Sequence, residues 1–125
     1  MEVTLQLNDG QQVVEKYGNG RFLISDHYHD GSVLIKSDET VSWAINSFDA
    51  LTVDSLQPFI DIADQIEVLL IGCGDKAQFI KPTFRDELRE KGLVIDAMDT
   101  GAACRTYNVL LSENRNVAAA LIAVE

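Results

Sequence analysis

From Val68 to Gly72 the chain reads Val-Leu-Leu-Ile-Gly, with no polar residue in the run. A strand with one wet face alternates apolar and polar residues. A run without alternation predicts a strand covered on both sides, as in α/β proteins. The segments that follow supply the cover. Pro82 opens a helix with Phe84 and Leu88 inward, and Lys91-Gly92 closes it. Leu93-Val94-Ile95 predicts the next strand. Thr100-Gly101 leads into a second helix through about Ser112, and Val117 to Val124 predicts a last apolar strand. Strand, helix, strand, helix, strand with short connections makes right-handed crossovers and a mostly parallel sheet.

The first third has a different rhythm. Val3, Leu5 and Leu7 alternate with polar residues and Asn8-Asp9-Gly10 supplies a turn. Gly18-Asn19-Gly20 precedes Arg21-Phe22-Leu23-Ile24, Asp30-Gly31 precedes Ser32-Val33-Leu34-Ile35, and Ser37-Asp38-Glu39 precedes the run Thr40 to Ile45. Short β-rich runs between such turns predict a meander of hairpins. Near residue 54 a helix is expected. Asp54 stands as its cap with Gln57 three positions on, and Val53 is placed to staple against Pro58. Leu56, Phe59, Ile60 and Ala63 then form one apolar stripe. Neither a linker nor a repeat divides the chain. The expected fold is one α/β domain over residues 1–125: a mostly parallel central sheet flanked by helices, with an N-terminal β-meander at its front.

Charge narrows the partners. Twenty acids against ten bases leave −10, which argues against nucleic acid and anionic membranes, both of which need positive surface. No apolar run approaches the ~20 residues that span a bilayer, so no membrane insertion is expected. Cys73 and Cys104 make neither a disulfide framework nor a zinc spacing. With no basic and apolar leader at Met1 to Leu7, they point to a reducing compartment, the cytoplasm. The acidity is concentrated: residues 37–75 hold eight acids and no Lys or Arg. Asp54, Asp61 and Asp64 fall off the apolar stripe of the expected helix. They read either as a solubilising surface or as a docking face for a protein partner with a basic surface.

Chemistry in a parallel sheet favours the crevice at the carboxyl ends of the strands. Two loops should meet there, Gly72-Cys73-Gly74 and Asp99-Thr100-Gly101, with Arg105 a turn further on. One reading is a small pocket for a carboxylate or phosphate, with a helix N-terminus and Arg105 supplying attraction. The other is that Asp99 or Thr100 caps its own helix and the glycines only turn the chain. Cys104 lies where a helix N-terminus lowers a thiol pKa, but no base accompanies it, and a buried packing role is expected for it and for Cys73. His27 and His29 would share one face of a strand, yet a metal needs a third ligand, so neither metal nor cofactor is expected. Asp96 and Asp99 have no partner base to make them an acid–base pair.

The segment Met98-Asp99-Thr100-Gly101-Ala102-Ala103-Cys104-Arg105-Thr106-Tyr107-Asn108-Val109-Leu110-Leu111, followed by Glu113-Asn114-Arg115-Asn116-Val117-Ala118-Ala119-Ala120-Leu121, is long and peculiar. With Gly18-Asn19-Gly20-Arg21-Phe22, Gly31-Ser32-Val33-Leu34 and the apolar strand into Gly72-Cys73-Gly74, it resembles a family of small uncharacterised domains whose mitochondrial members are respiratory complex I assembly factors. The resemblance covers roughly residues 14 to 123. It implies a mixed α/β sheet with an added small β layer and a non-catalytic accessory or assembly role through protein–protein contact. No family-wide catalytic residue carries over. Members commonly have Thr where this chain has Cys73, and the His27/His29 pair is outside the pattern. The alternative function is a small anionic-ligand binder or weak enzyme using the crevice.

Overall fold

A computed structural model describes residues 10–125. The expected strand through Val3, Leu5 and Leu7 lies outside the described residues, as do Asn8 and Asp9 of the expected turn. β1 (Val14–Gly18), β2 (Arg21–Ile24, one of the runs expected in the meander) and β3 (His27–Asp30) pair antiparallel in that order. Two-residue turns join them, Asn19-Gly20 and Ser25-Asp26, with all four residues at positive φ. Such turns match the strand twist. Ser25 is held there by its hydroxyl, which donates to Gln11 O at 2.8 Å and accepts from Val13 N at 3.0 Å.

The next hairpin, β4 (Val33–Lys36) with β5 (Glu39–Ser42), joins a different sheet. That sheet has five strands in the order β5-β4-β8-β6-β7, with β6 at Val68–Gly72, β7 at Ile95–Met98 and β8 at Val117–Leu121. β7, β6 and β8 run parallel, and β4 pairs antiparallel with β8. The fold is therefore a mixed α/β sheet with a separate small β layer. Cover on both faces explains the unbroken apolar run. Leu69 and Ile71 face a cluster with Leu56, Phe59 and Leu88, the last on α2 (Pro82–Glu90). Leu70 faces the other way, towards Phe22 and Ile24 of the meander and Tyr107 and Leu111 of α3 (Thr100–Ser112).

Several boundaries differ from expectation for local reasons. Trp43 leaves the strand line: its indole donates to Ser55 O at 2.8 Å, which pins the following segment to the core. The expected helix from Asp54 is broken into a 3-10 turn at Asp54–Leu56, a single turn α1 at Gln57–Ile60 and a 3-10 turn at Ala63–Gln65. Pro58 has no N–H to offer the Asp54 carbonyl, so that carbonyl accepts from Gln57 N one residue earlier, the 3-10 pattern. The Asp54 side chain caps nothing. The reciprocal bonds lie two residues earlier, Ser55 N to Thr52 Oγ1 at 3.1 Å and Thr52 N to Ser55 Oγ at 3.2 Å. β7 starts at Ile95, not Leu93, because Leu93 N donates to Leu88 O and Gly92 N to Arg89 O at the end of α2, with Gly92 in the left-handed region.

α3 is fastened to the small β layer by two adjacent side chains. Tyr107 Oη donates to Gln12 O at 2.8 Å. Asn108 pairs with both backbone groups of Val14, donating to its O at 2.7 Å and accepting from its N at 3.1 Å. The register of β1 against β2 slips between Val14 and Lys16, so the helix side chain bonds the strand beside an irregularity. Asn108→Ala should therefore lower stability by about 1–3 kcal/mol, because it strands two polar backbone groups. Val109→Ala, on the exposed face of the same helix, should change it by less than about 0.5 kcal/mol. Denaturant midpoints measure both.

Candidate functional site

The carboxyl ends of β6, β7 and β8 meet at Thr100. This residue is fully buried, and its hydroxyl is committed twice. It donates to Ile122 O at 2.7 Å and accepts from Gly74 N at 3.0 Å. Thr100 N donates in turn to Gly74 O at 2.9 Å, Cys73 N to Met98 O at 2.8 Å, and Ile122 N to Gly72 O at 3.0 Å. The glycine requirement at 72 is a matter of approach. A Cβ there would stand 3.0 Å from both Thr100 Cα and Thr100 Oγ1 and 3.1 Å from Leu121 Cδ2. Gly72, Gly74 and Thr100 are thus packed against one another.

Asp99 caps α3, its Oδ1 accepting from Ala102 N at 2.8 Å. The chain's own carboxylate occupies the place where a bound anion would compensate the helix dipole. Gly101 is buried beneath Tyr17, and a Cβ on it would overlap the Tyr17 hydroxyl. The glycine lets β1 cross close over the helix start. Arg105 is exposed and forms no ion pair among the described residues. Both thiols are buried. Burial pushes the Cys104 thiol from 9.0 up to about 12, an effect that outweighs the opposing pull of Arg105. Burial raises Cys73 as well. Buried neutral thiols are poor nucleophiles, and Cys104 packs beside Ala103 and Leu111 in the α3 cluster.

Other expected features are dispersed. His27 and His29 lie on β3, where His27 Nδ1 is 3.0 Å from Ser25 O. Among the described residues no group of three or more His, Cys, Asp or Glu is placed to hold a metal ion. Arg21 stacks on Tyr28 across the β2–β3 pair, 3.9 Å from the ring centre. Asp54, Asp61 and Asp64 are all exposed along the broken helix, and Asp61 accepts from Gln57 Nε2 at 2.7 Å. Asp96 is exposed on β7.

A groove of about 430 Å³ runs between the 3-10 turn Phe48–Ala50 and α2. Phe48, Leu51, Phe79, Ile80 and Phe84 line it, with Asp49, Lys81 and Glu87 on its walls. Its sequence signal is slight: a large apolar residue, Phe79, in the irregular segment between β6 and α2.

Residues 14–122 match the model of the family described as "protein of unknown function (DUF498/DUF598)". The chain belongs to that family. A curated relative from Xenopus tropicalis, named NADH dehydrogenase [ubiquinone] 1 alpha subcomplex assembly factor 3, is 32% identical over 109 residues, 87% of this chain and 60% of the relative. The chain thus spans about three-fifths of the length of that assembly factor. An uncharacterised protein of Rhodobacter capsulatus is 34% identical over 113 residues, covering 90% of this chain and 86% of its own. The crystal structure of a Bartonella henselae protein described as an outer membrane protein has a TM-score of 0.85 at 40% identity and covers 93% of this chain and 98% of that one. In the present member of the family, no helix among the described residues is long and apolar enough to cross a membrane.

Two outcomes follow from this geometry. Thr100→Val keeps the shape and removes the hydroxyl, leaving Gly74 N and Ile122 O unpaired. It should cost about 1–3 kcal/mol in denaturant unfolding, and Thr100→Ser should cost less. The folded chain keeps the Cys104 proton to about 12, whereas an unperturbed thiol releases it near 9.0. The unfolded state therefore binds fewer protons in that window, and stability should fall as pH rises through it. Cys104→Ala should flatten the decline, as read from melting temperature against pH, and neither thiol should react with a thiol reagent near neutral pH until denaturant is added.

Proposed function

We propose that this chain is a non-catalytic, assembly-type domain that works through contact with a protein partner. The observation that carries this reading is the relationship itself: the relatives that match along 109 residues are named as assembly factors of NADH dehydrogenase. The geometry supports it in a second way. Thr100, Gly101, Tyr107 and Asn108, which give the family-like segment its peculiarity, bond or pack inside the chain. In this reading residues 1–125 act as one domain, because both core clusters draw on the same five-stranded sheet. Asp54, Asp61 and Asp64 form part of the surface offered to a basic partner, with charge speeding encounter. Arg105 remains available for a partner carboxylate. Both thiols stay reduced in the cytoplasm, consistent with their separate burial in the two clusters.

Deleting the gene in its source organism should reduce the amount of fully assembled membrane NADH dehydrogenase on native gels. A tagged full-length chain should co-purify with subunits of that enzyme when it is incompletely assembled. An unchanged quantity of assembled enzyme in the deletion strain would sink the proposal.

A further inference from the structure

Phe79 is 77% exposed, the most exposed of the large apolar side chains among the described residues. Its neighbour Ile80 is buried in the core cluster under α2. The backbone is thus anchored with one apolar side chain inward and the next one out over the groove. An aromatic ring held in water beside Phe48, Leu51 and Phe84 gains by being covered, and contiguous apolar surface of this kind marks interaction sites. We propose that the groove between Phe48–Leu51 and α2 is the docking site for a short partner-protein segment that presents an aromatic or leucine anchor flanked by Lys or Arg. This inference rests on the assembly reading and names the surface through which it would act.

Size and charge select that occupant. A volume of about 430 Å³ lies in the range of roughly 300–1,000 Å³ that takes a small ligand or a few side chains, not a folded domain. One wall of the groove carries Asp49, and the other carries Glu87 and Lys81. Asp49 and Glu87 form no ion pair among the described residues. Arg85, which donates to Ile95 O at 2.7 Å, and Arg89, 3.8 Å from Asp86, are not among the residues that line the groove. Lys81 alone offsets the two acids in the lining. A second copy of this chain brings its own −10 and is repelled. A basic segment would pair with the exposed Asp49 and Glu87, an attraction that an uncharged apolar molecule lacks.

Random peptides displayed and selected on the full chain, with counter-selection on Phe79→Asp, test the proposal. The expected consensus is Phe, Tyr, Trp or Leu flanked by Lys or Arg. In fluorescence anisotropy the selected peptide should bind at least about tenfold more weakly to Phe79→Asp and to Asp49→Lys, and more weakly as salt rises. Binding should be unchanged by Val109→Asp on the opposite layer. Matched melting curves verify that the variants are folded, which the exposure of Phe79 favours. A consensus without basic residues, equal binding to Phe79→Asp, or no enrichment at all overturns the proposal. In the deletion strain, a Phe79→Asp copy that restores assembled enzyme as fully as wild type also overturns the groove while leaving the assembly role intact. If deletion itself changes nothing, the assembly role fails and the peptide selection alone judges the groove.

Discussion

Everything in this molecule depends on β8 being buried on both faces. Val117 to Leu121 are all inaccessible, and the three alanines at 118, 119 and 120 make the middle of the strand thin. Thin side chains let α3 lie close on one face and the cluster under α2 close on the other. On its two edges β8 accepts β6 in parallel and β4 in antiparallel. A single short strand therefore joins the βα half of the chain to its β-rich front. Enlarging its alanines would separate the layers, since close-packed interiors do not absorb added volume without strain.

The carboxyl end of that sheet shows how a position suited to ligand binding becomes structural. Topology brings the ends of three strands and a helix N-terminus together, and such crevices are where α/β proteins usually place substrates. Here Thr100 Oγ1 joins Gly74 N to Ile122 O, and Asp99 caps Ala102 N, so these groups are paired from within the chain.

Legibility in the sequence followed the range of the forces involved. The apolar run before Gly72, the α2 boundaries and the α3 cap are set by periodicity and by neighbours within four residues, and they can be read directly. The broken helix after Asp54 is harder. Its apolar stripe is real, since Leu56 and Phe59 are buried, but hydrogen bonding depends on one missing N–H at Pro58 and on the Trp43 indole reaching Ser55 O. Asn108 is harder still. It falls on the polar side of α3, and only the distant Val14 backbone, 94 residues away, gives it a purpose. The glycines of the crevice look like ligand-binding glycines because close approach is the same requirement whether the approaching atom belongs to a ligand or, as at Gly72 and Gly101, to Thr100 and Tyr17.

The place of β8 in chain order also governs how the sheet comes into being. The ribosome delivers it after β4, β5, β6 and β7, yet it occupies the middle position. Until Val117–Leu121 emerge, β4 and β6 have no common neighbour and each exposes an open edge. Pairings of this kind join residues far apart in sequence, as between Val33 and Leu121, and such non-local topologies fold slowly. Any pairing made before β8 joins would leave open to other chains the edges of β4 and β6 that β8 covers in the finished sheet.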